Sequence, residues 1–321
     1  MQSTKLLSAR QSQRSHKKSA NNLVRKFNWG ELSIIGIPYL WFVLLAAIPL
    51  LIVLKISLST MEVASISNMV DWSNGYPKVT LNFGSYQFIA SDSLYIKTYI
   101  SSIKYALITT IICLALGYPF AYFMARAPKH IQPTLLMLIM LPFWTSFLLR
   151  IYAWKTLLVN NGIINNALMS MGVISEPIAM MNTPFSLIIG MVYSYLPFMI
   201  LPLYANLSKL DVRFLEAAAD LGTSPFKTFW LITVPLSKAG IIAGSMLVFI
   251  PAIGEYVIPE LLGGPNTLMI GRVLWDEFFS NNDWPMASAV AVVMIVLILV
   301  PMAILGKNQA DQASVKAGAK L

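Results

Sequence analysis

The chain has 321 residues, of which 57% are hydrophobic and only 12% charged, with a formal net charge of +9. A soluble globular chain carries roughly 25% charged residues, so too little charge is present to cover a water-facing surface, which argues against both an ordinary soluble enzyme and a disordered protein. The single Cys113 cannot close an intrachain disulfide, and His16 and His130 are too few and too far apart for a histidine metal site, so no metal is expected.

Residues 1–30 form a basic tail: Lys5, Arg10, Arg14, Lys17, Lys18, Arg25 and Lys26 occur in it without an acidic residue before Glu31. Beside a long apolar run this pattern reads as a cytoplasmic tail rather than a nucleic-acid arm. Residues 31–306 read as a membrane domain. The first apolar run, Ile34–Ser59, is too long for a cleaved signal peptide and reads as a retained span. A polar outer loop, 60–101, follows and is expected to hold local structure. Five further spans are expected at Ser102–Ala125, Thr134–Leu158, Thr183–Leu207, Ala239–Leu262 and Met286–Gly306, each long enough as a helix to cross about 30 Å of hydrocarbon. Their apolar character on all sides fits helices and not barrel strands. With the N-terminus inside, sixteen Lys and Arg residues fall in the inner segments and seven outside them, which places both termini in the cytoplasm. Most tryptophans (Trp29, Trp41, Trp72, Trp144, Trp154, Trp275, Trp284) sit near span ends, as interfacial anchors do. Residues 307–321 read as a polar, frayed cytoplasmic tail. The fold expected is thus an all-α integral membrane protein with six transmembrane helices.

The most informative segment is the inner loop 208–238, between the fourth and fifth spans. Its sequence predicts two short helices meeting at a turn. Asp211 caps the first, which runs through Glu216, Ala217 and Ala218 to Leu221, and Gly222 takes the left-handed position that ends it. Thr223 or Ser224 caps the second, with Pro225 in its first turn and Pro235 as its stop. Phe214, Leu215, Ala218 and Leu221 share one face, and Phe226, Phe229 and Trp230 another. An apolar-faced helix pair between membrane spans packs on its own spans or docks a soluble partner.

With Glu216-Ala217-Ala218, then Gly222, then Ile232 and Pro235, the loop resembles the signature of the permease subunits of bacterial ABC importers, E-A-A, three residues, G, nine residues, I-x-L-P. Val234 replaces the leucine. The resemblance implies the type I importer permease fold and a bacterial inner-membrane location. It also implies that this loop is a coupling helix seated on an ATP-binding subunit, with Glu216 near the contact and Gly222 forming the turn. No G-x-x-x-x-G-K-[ST] phosphate loop occurs in the chain, so ATP and magnesium would be bound by partner subunits and no cofactor or catalytic residue is expected here.

From Pro38 to about Pro301 the chain further resembles the polyamine branch of that family, most specifically putrescine-import permeases. The runs Leu141–Trp154, Asn160–Asn166, Gly244–Gly264 and Met269–Phe279 carry the likeness. The implied function is import of putrescine or a related polyamine from periplasm to cytoplasm. The implied partners are a second, homologous permease chain, two ATP-binding subunits, a periplasmic polyamine-binding protein and the lipid bilayer, with no nucleic acid. Physically, Glu255 is a carboxylate at membrane depth, costly unless it faces a wet path or a partner, and Pro251, Gly254 and Pro259 loosen the helix around it. Tyr256, Tyr193, Tyr195 and Trp144 could offer ring faces to an ammonium group. The competing reading pairs Glu255 with Arg150, Arg272 or Lys155, and the rings have a competing role in packing or at the interface. Rival functions are the same machine for spermidine, an iron complex or an oxyanion, a membrane enzyme, or a free facilitator; the last leaves the 216–235 signature unexplained.

Overall fold

The computed structural model describes residues 29–62, 65–66, 70–71 and 78–318. The basic tail before Trp29 and Trp72 lie outside the described residues. The described chain is helical apart from two short antiparallel pairs that follow the first helix, β1 (Met61–Glu62) with β2 (Ser65–Ile66) and β3 (Val70–Asp71) with β4 (Lys78–Val79). Helix α1 (Trp29–Ser57) belongs as far as Val53 to one compact unit, and residues from Leu54 on belong to another. Within its own unit α1 is exposed along its apolar length, from Ile34 to Leu51.

In the second unit, α2 (Gly84–Ser91) precedes α3 (Ser93–Arg126), which starts earlier than the span expected from Ser102. Asp92 fixes that start by accepting a hydrogen bond from the Leu94 amide at 2.8 Å. Helix α4 (Gln132–Met140) runs into a 3₁₀ turn, Leu141–Trp144, and α5 (Phe147–Leu158) leaves it at 85°. The third span, expected unbroken over Thr134–Leu158, is therefore bent. Pro142 removes an amide donor just before the break, and Thr145 closes the turn by donating to the Pro142 carbonyl at 2.7 Å. After α6 (Ile163–Ser170), a Thr183–Ser186 capping box with Pro184 in the first turn opens α7 (Pro184–Leu207).

The loop 208–238 folds into α8 (Arg213–Asp220), α9 (Pro225–Thr228), a π turn (Phe229–Thr233) and the single turn α10 (Val234–Leu236). Then come α11 (Lys238–Ile253), α12 (Val257–Leu262), a 3₁₀ turn (Pro265–Thr267), α13 (Ile270–Trp275), a second π turn (Asp276–Ser280) and α14 (Trp284–Gly318). The backbone of α14 stays helical through the segment expected to fray after Lys307.

Among the described residues, three helices are long and apolar enough to cross a membrane as single rods: Ile34–Ser57, Ser93–Arg126 and Pro184–Leu207. Counting each of the two bent helix pairs as one span gives five, and the apolar stretch Trp284–Val300 is shorter.

The core lies where α3, α7 and α11 pack on one another. Small residues permit the close approach: Gly117 faces Met199 and Ile200, and Gly244 faces the Met199 backbone. Buried polar staples tie the elements together in this apolar setting. The Tyr99 hydroxyl donates to the Val290 carbonyl at 2.8 Å, the Ile270 amide to Ser102 Oγ at 2.7 Å, and Ser186 Oγ to the Leu262 carbonyl at 2.7 Å. Each satisfies a group that would cost about 1–3 kcal/mol if buried alone.

Candidate functional site: a broken helix and an exposed loop

Two regions carry the sequence candidates. The first is the break after α11. Helix α11 ends at Ile253, Gly254 and Glu255 cross the gap, and α12 starts at Val257. The Glu255 carboxylate turns back on the chain: Oε1 accepts from the Val257 amide at 3.0 Å and the Ile258 amide at 3.4 Å, capping α12. The other oxygen, Oε2, accepts a short hydrogen bond from the hydroxyl of Tyr195 on α7. Glu255 is half-buried and Tyr195 is buried.

The pairing expected as an alternative, with Arg150, Arg272 or Lys155, does not form. Arg272 Nε lies 2.7 Å from Glu260 Oε2, Arg150 lies over the rings of Phe143 and Phe147 at 5.0 and 5.6 Å, and Lys155 lies over Tyr152. A carboxylate beside two free amides at a helix start is satisfied locally, so no cation is needed to hold it.

The gap is held open from the other side by Gly271 on α13. A Cβ placed there would stand 2.6 Å from the Glu255 carbonyl oxygen and nearer still to that of Gly254. The α13 backbone thus presses directly on the two residues that cross the break. The end of α11 also directs its partial negative charge into this gap, beside the carboxylate, a setting that suits a cation and repels an anion.

The remaining ring candidates do not gather here. Tyr256 stacks flat on Trp275, with centroids 4.2 Å apart, and Phe279 covers the next ring of that stack. Tyr193, two residues from Tyr195 and so on the other side of α7, meets Trp154 edge-on at 5.6 Å. Trp144 is 81% exposed in the 3₁₀ turn. The ring that does approach the pair is Phe198, 6.3 Å from Tyr195, with Phe143 edge-on behind it at 5.2 Å. Between α13 and α14, two acidic side chains are engaged within the chain. Glu277 accepts from the Tyr95 hydroxyl at 2.6 Å, and Asp283 caps α14 through the Met286 amide.

The second region is the loop 208–238. Asp211 Oδ1 accepts from the Arg213 amide at 3.0 Å, and Gly222 has φ of +73°, the left-handed turn expected between the two helices. Ser224 stands before α9 in extended conformation, but its side chain makes no capping bond. Ala218 is buried and Leu215 half-buried, whereas Phe214 and Leu221 are exposed, so the first apolar face is split. Phe226, Phe229 and Trp230 form one ring cluster whose outer members are exposed. Pro235 does not stop the second helix as expected. Its missing amide is absorbed by the preceding π turn, it opens α10, and the chain breaks two residues later at Ser237, with a 68° bend. Ile232 lies inside the π turn and Glu216 in the first turn of α8.

Residues 116–309 match the family described as binding-protein-dependent transport system inner membrane component. The chain is 41% identical over 258 residues to the spermidine/putrescine transport system permease protein PotB of Escherichia coli, covering 80% of this chain and 90% of that protein. It is 42% identical over 265 residues to PotB of Haemophilus influenzae, covering 82% and 88%, and 33% identical over 210 residues to the E. coli inner membrane ABC transporter permease protein YdcU, covering 62% and 67%. Among solved structures, a bacterial ABC transporter involved in import of the acidic polysaccharide alginate has the same fold, with a TM-score of 0.57 at 17% identity over 88% of this chain and 98% of that one. A bacterial alginate ABC transporter in complex with an alginate pentasaccharide-bound periplasmic protein gives 0.59 at 16% identity over 86% and 92%. A match that spans both the broken helix and the 208–238 loop, with relatives named as transport permeases, establishes that this chain belongs to the inner-membrane components of binding-protein-dependent transport systems and is a multi-pass transport subunit and not an enzyme.

Proposed function

We propose that this chain is a permease subunit of an ATP-driven importer that carries putrescine or a related polyamine into the cytoplasm. It pairs with a second, homologous permease and receives solute from a periplasmic binding protein, and the cytoplasmic loops of the permease pair dock two ATPase subunits that hold ATP and magnesium. The observation that carries the coupling role is the exposed apolar helix pair of loop 208–238. Leu221 is 86% and Phe226 74% exposed at the Gly222 turn, an arrangement unfavourable in water without a partner. Both termini and this loop lie on the cytoplasmic side in this reading. Support for the solute comes from the two PotB relatives, whose names carry spermidine and putrescine, and from the carboxylate and helix end at the break. Glu255 and Tyr195 line the path near the break, with Tyr256, Tyr193 and Trp144 as outlying candidates. A diammonium chain entering the gap would compete with the Tyr195 hydroxyl for the carboxylate.

The test reconstitutes the complete complex in liposomes and measures ATP hydrolysis stimulated by the loaded binding protein. Putrescine or spermidine should stimulate and sulfate should not. Stimulation by sulfate alone would overturn the solute assignment.

A further inference from the structure

Loop 208–238 must be joined mechanically to the spans if it is to move them, and one buried joint does this. Phe229, the first residue of the π turn, packs edge-on against two rings of α3: Tyr118 at 5.4 Å and 85°, and Tyr122 at 5.9 Å and 88°. Eight residues further on, at the 68° bend, Ser237 Oγ lies 2.8 Å from the Tyr118 hydroxyl. Ser237 is fully buried and Tyr118 is 7% exposed. The Arg126 guanidinium covers the far ring, 5.5 Å from Tyr122.

A hydroxyl pair buried among rings has no water to fall back on, so its geometry is specified and costly to change. The same Tyr118 therefore grips both ends of the segment 229–237: its ring holds Phe229, and its hydroxyl holds the bend. The segment between the two grips includes a π turn, a rare element that is frequent at functional sites.

We propose that Tyr118 and Ser237 form the transmission joint that converts movement of loop 208–238 into movement of α3, with Phe229 as the packed member. The pair contacts neither solute nor nucleotide; these are positioning residues. The inference rests on the reading of the loop as the ATPase docking element. A joint of this kind sets how much uptake each hydrolysis event yields, not whether the ATPase docks.

The experiment uses the reconstituted full complex carrying Tyr118→Phe, Ser237→Ala, both together, or Ser237→Thr. Hydrolysis and solute uptake are read in the same liposomes. Both single variants should retain the ATPase subunits and hydrolyse ATP; uptake per ATP should fall about five-fold in Tyr118→Phe, as expected for loss of one buried hydrogen bond, and at least as far in Ser237→Ala, which also loses the bond from Ser237 Oγ to the Val234 carbonyl at 3.0 Å. The double variant should be no worse than Ser237→Ala, since the bond that Tyr118→Phe removes is already lost there. Ser237→Thr, which keeps the hydroxyl, should recover most of the ratio. A wild-type ratio in both single variants overturns the proposal, and so does an additive double. If the wild-type chain itself retains no ATPase subunit, the docking reading falls and takes the joint with it.

Discussion

Substituting Gly271 by alanine tests the packing that shapes the broken helix. The added Cβ would stand 2.6 Å from the Glu255 carbonyl oxygen, about 0.8 Å short of the 3.4 Å at which ordinary contact begins. Its neighbours are backbone atoms of Gly254 and Glu255, so no side chain can rotate away. The break or α13 must shift, and overpacking of this kind costs about 1–3 kcal/mol, here toward the upper end. For a chain of 321 residues, with an unfolding entropy of about 2.1 cal/mol/K per residue, that corresponds to a fall in melting midpoint on the order of 4 °C. Gly172 supplies the control. It has φ of +68°, but a Cβ there meets nothing within 4 Å, so Gly172→Ala costs only the left-handed strain of about 1–2 kcal/mol. Thermal scans of the purified complex in detergent should rank wild type above Gly172→Ala and that above Gly271→Ala. The Gly271 variant should also lose uptake, because the displaced peptide carries Glu255 out of reach of Tyr195. A Gly271→Ala protein that melts and transports like wild type would refute the argument that α13 backbone sets the gap.

Tyr195→Phe leaves Glu255 Oε2 without its donor while the amide bonds to Oε1 remain, and should cost about 1–3 kcal/mol of stability; Glu255→Gln should lower polyamine uptake several-fold in liposomes. Lower melting with unchanged uptake in Glu255→Gln would make this residue a helix cap alone. Asn165 is fully buried and holds Ile178 from both sides, donating to its carbonyl and accepting from its amide at 3.0 Å each. Asn165→Ala should therefore loosen the 171–182 segment, seen as faster limited proteolysis there, and equal cleavage rates would count against that role.

The parts of the molecule legible in the sequence are those set by single residues acting on their own backbone. Gly222 predicts a left-handed turn because few other residues adopt it cheaply, and Pro225 predicts a first helical turn because its fixed φ suits one; the structure places both as expected. What escaped depends on residues far apart in the chain. Apolar runs show no phase change at Thr145, so the 85° bend inside the third expected span left no periodic signature. By its local rule Pro235 reads as a stop, but it follows a π turn five residues long, the helical path continues to Leu236, and the break falls at Ser237.

Glu255 is the sharpest case. The sequence shows a charge at membrane depth that needs a partner, but the partner is a tyrosine sixty positions away together with two amides that are free only because the helix breaks. Basic residues were the natural candidates on charge alone, yet Arg272 is already paired with Glu260 and Arg150 rests on two rings. The carboxylate is thereby left with a hydroxyl that a stronger donor can displace and not with a fixed cation that would block it. A permanent ion pair at this position would shield the charge in every state. A capped carboxylate keeps its charge available at the gap, as the proposed path for a polyamine requires.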